Sequence, residues 1–168
     1  MKSKLRILSL TIYKSNFIVS LLLLFLLFLC FYLIWTPLFY FLFNKWDITF
    51  ASKPTSTIFE SILISVIMAP LVETLLFQKL VYRLLSLMKF LKRRKILIMI
   101  LGAIAFGALH TYSLLYIIYA VFMGFLFMYA YIVRINKNPY WTVVALHGLI
   151  NLFVILINPV EKNIFGVV

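Results

Sequence analysis

Acidic residues are almost missing from this chain: among 168 residues there are four, Asp47, Glu60, Glu73 and Glu161. Cysteine occurs once, at Cys30, which excludes an intrachain disulfide and a thiolate zinc cluster. Inside an apolar run, that cysteine reads as a small buried hydrophobe. No stretch of glycine and serine marks a linker, and no internal repeat divides the sequence. Charge of any sign is scarce, at 12% of residues against 65% apolar. A water-soluble domain of this size cannot cover that much apolar surface with so few polar groups. The bilayer is the solvent that suits the composition.

The charge that is present is basic, with 16 Lys and Arg giving a net +12. In a soluble protein such a balance points to nucleic acid. Here the bases gather at the ends of apolar runs, which is the pattern of membrane orientation and lipid contact. Membrane lipids are therefore expected partners, and nucleic acid is not.

The apolar runs predict an all-α polytopic bundle of about five membrane-spanning helices. Phe17 to Phe43 carries no charge. Its 27 residues would reach about 40 Å as a helix, against about 30 Å of hydrocarbon. Pro37 is expected to kink it or end it early. The basic Lys2, Lys4, Arg6 and Lys14 precede it, and the run is too long for a signal peptide, so it reads as an uncleaved anchor. A second span runs from Thr57 to Phe77, and Lys79 to Lys95 should continue it as an amphipathic helix leaving the membrane. Ile96 to Val133 is too long for one crossing and should fold into two, turning near Thr111 to Leu115. The last span lies between Pro139 and Pro159. The division is thus an anchor and external loop over 1–56, a core over 57–158 and a short tail over 159–168.

With these spans, 13 basic residues fall on the side of the N-terminus and three, Lys45, Lys53 and Lys162, on the other. That excess places the N-terminus in the cytoplasm of a multi-pass cell-membrane protein. The Lys-, Ile- and Phe-rich composition fits a bacterial source.

Ionisable side chains inside hydrocarbon are costly, so each needs a partner or a task. Glu73, His110 and His147 all fall within the expected spans. His147 and Asn151 are four residues apart and would share a helix face, as would Phe106 and His110, and Thr74 and Gln78. A structural hydrogen-bonded cluster is the plainer explanation of any one of them. Together they read as a site.

Three segments carry a resemblance. Ala69-Pro70-Leu71-Val72-Glu73-Thr74-Leu75-Leu76-Phe77-Gln78 is similar to the first motif, EExxxR, of the CAAX-protease and bacteriocin-processing family. Phe106-Gly107-Ala108-Leu109-His110 matches its FxxxH motif, and His147-Gly148-Leu149-Ile150-Asn151 its HxxxN motif. The resemblance covers about residues 57 to 158. It implies an intramembrane peptidase acting on a membrane-associated, prenylated-like or bacteriocin-type peptide or protein. Glu73 would then activate water with His110 as its partner, and His147 and Asn151 would stabilise the oxyanion. The second Glu and the Arg of the first motif are replaced by Thr74 and Gln78, a neutral pair able to hydrogen-bond at the same spacing. Thr74, Gln78 and Phe106 support the site in this reading.

Amide hydrolysis requires a base, a proton for the leaving amine and donors at the developing oxyanion. Glu73, His110 and His147 could instead form a zinc site. That would leave no carboxylate as base, because Glu60 lies about 20 Å from Glu73 along the helix axis. The metal-independent reading is therefore preferred, with no cofactor. One further expectation is that His110 lies deeper than His147 by about 6 Å. The rival to an enzyme is a membrane immunity or regulatory protein that binds a peptide or sensor protein without cleaving it.

Overall fold

The structure is a computed structural model that describes residues 2–43, 57–111 and 114–165. All regular structure among them is helical. The expected external loop over 44–56, with Lys45 and Lys53, lies outside the described residues. So do positions 112 and 113 of the expected turn and the last three residues of the tail.

The N-terminal bases do not simply flank the anchor: α1, Lys2–Lys14, is a helix of its own. Asn16 ends it and starts the next, its Oδ1 accepting from the Val19 N–H at 2.9 Å. Helix α2, Phe17–Phe43, passes through Pro37 rather than ending there. Cys30, expected to be buried, is exposed on it.

Helix α3 runs from Ile58 to Leu87 in five consecutive pieces. Thr57 and Glu60 open it as a capping box: the Glu60 N–H donates to Thr57 Oγ1 at 3.2 Å and the Thr57 N–H to Glu60 Oε2 at 2.8 Å. Two stretches of α3, Leu63–Met68 and Thr74–Leu80, are wound as π-helix. The helix stops at Leu87, where Met88 turns extended. The amphipathic helix expected to reach Lys95 is therefore shorter, and turns occupy residues 89–93. Like charges at Lys89, Lys92, Arg93 and Arg94 disfavour further winding.

Helix α4, Lys95–Ala108, and α5, Leu114–Val133, form the expected hairpin. They approach closely because glycine lies at the contacts: a Cβ on Gly124 would sit 3.0 Å from the Ala103 Cα and one on Gly107 3.1 Å from the Ile117 oxygen. Helix α6, Pro139–Phe165, continues beyond Pro159, while its membrane-length apolar stretch, Pro139–Ile157, falls between the two prolines as expected. It packs against α2, α3 and α5.

Four stretches are long and apolar enough to cross a membrane: Phe17–Leu38, Phe59–Leu87, Leu114–Val133 and Pro139–Ile157. The fifth helix, α4, has 14 residues and reaches about 21 Å. The protein is a multi-pass, all-α membrane bundle. Its outward side chains are apolar, including Leu22, Leu26, Ile64, Leu84 and Ile104, as lipid contact requires.

Candidate active site

Pro70 has no N–H, and that gap organises one wall of the site. The preceding π-winding pairs the Ala69 N–H with the Ile64 oxygen. In the same register position 70 would serve the Ser65 oxygen, but proline cannot donate. Asn151 Nδ2 donates to that carbonyl instead, at 2.7 Å. Nearby, the Val66 oxygen would lie 2.7 Å from a Cβ on Gly148, so α6 reaches α3 only because position 148 has none. Tyr140 adds a third tie, its hydroxyl donating to the Leu71 oxygen at 3.0 Å.

These contacts set His147 beside Glu73. His147 Nε2 is 3.9 Å from Glu73 Oε2, and His110 Nε2 is 3.8 Å from the same oxygen. Both separations are longer than a hydrogen bond. The depth difference expected between the histidines is thus absorbed: they converge on one carboxylate oxygen, which is itself buried without a hydrogen-bond partner among the described residues.

His110 corrects an expectation. It was to sit within a span on the same helix as Phe106, yet α4 ends at Ala108, two residues before it. The His110 N–H bonds to the Gly107 oxygen at 3.0 Å. Its ring takes the carbonyl left over, Nδ1 donating to the Phe106 oxygen at 2.8 Å. A carbonyl only accepts, so in the neutral ring the proton lies on Nδ1 and the lone pair of Nε2 faces Glu73.

Phe106 forms a wedge between the two imidazoles, 4.5 Å from the His110 ring and 6.0 Å from that of His147, centroid to centroid. Phe127 stacks on His147 at 4.4 Å. Sequence reasoning missed Phe127, since nothing distinguishes it among 17 phenylalanines. It also missed the Ser65 carbonyl and Tyr140. Pro70 was visible as a signal for the first of these. A cavity of about 30 Å³ is lined by His110, His147, Asn151, Phe106 and Phe127, among others. That is room enough for a water. Glu73 borders the histidines but does not line this cavity.

Thr74 and Gln78 are fully buried, but the hydrogen bond expected between them is absent. Thr74 Oγ1 and both polar atoms of the Gln78 amide have no partner among the described residues. The pair lies in the second π-wound stretch.

No trio of His, Cys, Asp and Glu closes on a metal position among the described residues. Zinc bonds of about 2.0–2.1 Å put tetrahedral ligand atoms roughly 3.4 Å apart, and both Nε2 to Oε2 separations here are wider. Glu73, His110 and His147 would have to draw together to hold one.

No curated protein and no solved structure matches the chain significantly. One family does match: that described as type II CAAX prenyl endopeptidase Rce1-like, over residues 55–153. The matched stretch contains Glu73, His110, His147 and Asn151 and covers more than half of the sequence. The chain belongs to the Rce1-like family of type II CAAX prenyl endopeptidases.

Proposed function

We propose that the protein is an intramembrane endopeptidase in which Glu73 activates water against a peptide bond. The observation that carries this reading is the approach of both histidine Nε2 atoms to within 4 Å of one buried Glu73 oxygen. The Nε2 lone pair of His110 and the carboxylate are both acceptors, and a water between them supplies the protons that both lack. Glu73 takes one proton as the water oxygen attacks the carbonyl carbon. His147 and the second N–H of Asn151 Nδ2 donate to the resulting oxyanion. His147 does so as its Nε2–H tautomer. The proton held by Glu73 then passes to the leaving nitrogen, the C–N bond breaks, and a carboxylic acid and an amine are released.

The substrate is a peptide or lipidated protein held at the membrane, of prenylated or bacteriocin type. Family membership supports the prenylated class. The site needs no metal in this reading, since Glu73 serves as base. The protein resides in the cell membrane of a bacterium with its N-terminus in the cytoplasm, a reading supported by the basic asymmetry. The test is cleavage of co-expressed prenylated and lipid-linked peptides by the wild type and by Glu73→Gln. Cleavage by the wild type and none by the variant is expected. Equal cleavage by both would remove Glu73 from the mechanism.

A second reading has its own observation. Thr74 and Gln78, neutral and without a partner among the described residues, stand where the family motif has a Glu and an Arg, which favours a protein that binds peptide without cutting it. Saturable binding of an intact peptide, equal in wild type and Glu73→Gln, would support that immunity or regulatory role.

A further inference from the structure

Away from the site, a second cavity opens between α1, the start of α4 and the end of α5, with a volume of about 440 Å³. Arg6 and Lys95 contribute to its lining and both are exposed. Among the described residues neither forms an ion pair: the two short contacts with a carboxylate both involve Glu73 and a histidine. Among the described residues no acidic one lines the cavity. Ser9 and Tyr129, whose hydroxyls meet at 3.0 Å, line it as well, as does Asn136.

The walls are fixed in place. Arg134, itself buried, donates from Nη1 to the oxygens of Ile12 at 3.3 Å and Ser15 at 2.9 Å, clamping the end of α1 against the end of α5. Lys137 Nζ lies 5.2 Å from the Tyr13 ring centroid.

We propose that this cavity binds the phosphate headgroup of an anionic phospholipid, with an acyl chain against Leu10 and Met99. Three observations carry the assignment. Two cations without counter-charge converge on one pocket, and a phosphodiester supplies the missing sign. The remaining lining is largely apolar, with Met99, Ile132 and Val133, which a free phosphate would leave unused. Lys95 is the first residue of α4 and Val133 the last of α5, so the cations lie where membrane helices end and headgroups begin.

The experiment uses the full chain in phosphatidylcholine nanodiscs and in detergent. Retention of added phosphatidylglycerol is read by native mass spectrometry. Wild type should retain phosphatidylglycerol over phosphatidylcholine. Arg6→Gln and Lys95→Gln should each weaken it about fivefold, while Lys89→Gln with Lys92→Gln, equally basic but outside the cavity, should not. Arg6→Lys with Lys95→Arg should restore binding, which separates lost affinity from lost folding. The melting temperature of each variant provides a second control. Equal retention of the two lipids, or equal loss in the Lys89/Lys92 variant, would refute the site. Displacement by inorganic phosphate at the same concentration would make it a free-anion site and overturn the lipid assignment. An acidic peptide that binds there where phosphatidylglycerol does not would overturn it in favour of a protein partner.

Discussion

Thr74 and Gln78 bury three polar atoms for which the described residues supply no partner, and an unsatisfied buried group costs about 1–3 kcal/mol. Two predictions follow opposite routes out of that state. Apolar replacement, Thr74→Val with Gln78→Leu, should leave thermal stability in detergent unchanged or raised, because shape is kept and the orphaned groups go. Thr74→Glu alone should destabilise by about 3–5 kcal/mol, as an uncompensated buried charge does. Adding Gln78→Arg should recover much of that loss. Equal, additive damage from the two charged changes would mean that the side chains do not face each other and that the first motif is misaligned. A third prediction concerns the histidines: activity should survive strong chelation, because a metal would take Glu73 as ligand and leave no base. Loss on chelation with recovery on added zinc would reverse this. Residues of the site were the most readable part of the sequence, since an ionisable group in an apolar run stands out without any structure. Phe127 did not stand out, because an aromatic stacked on an imidazole looks like any other apolar residue.

Helix α3 joins its neighbours through defects in its own winding. Pro70 leaves the Ser65 carbonyl free, Asn151 takes it, and Gly148 lets the backbones touch. Gly148→Ala should push the Val66 oxygen away from 2.7 Å contact and cost about 1–3 kcal/mol, with a drop in melting temperature. His147 is the next residue, so peptide cleavage should fall with it. Unchanged stability and activity would mean that the contact is not tight. Apolar length showed where helices lie, but not how they are wound. A π-turn and an α-turn differ by one residue per ring, too little to appear in a six-residue apolar pattern. The end of α4 was hidden for a related reason: residues 96–109 run on without a polar break, and the carbonyl that a ring nitrogen caps leaves no trace in sequence. Helices run on through Pro37 and Pro159, because neighbouring turns tolerate a proline, although the last apolar stretch long enough to span ends at Ile157.

At the scale of the molecule, orientation rests on where the bases fall. In a variant without Cys30, single cysteines beside Lys92 should be shielded from an external reagent in intact cells, and one near Lys53 should react. Labelling beside Lys92 would invert the topology. The number of apolar helices, though not the separate basic helix α1, was readable because charge-free runs have a physical length. The turn expected near Thr111 to Leu115 lies between α4 and α5, and it leaves α4 14 residues against 20 for α5.

That unequal reach bears on the surrounding lipid. Helix α4 falls about 9 Å short of a bilayer core of about 30 Å, while α5 beside it spans the full width. A short segment held rigidly against a long one draws the leaflet inward, at a cost that grows with each ångström of mismatch. The dimple would form over Leu109, which is exposed, next to His110. Water and a polar peptide backbone would then have a shorter descent to Glu73 than in an undisturbed membrane. Turnover should rise in nanodiscs of short-chain lipids and fall in long-chain ones at equal protein stability, and a flat response would show that the leaflet does not yield.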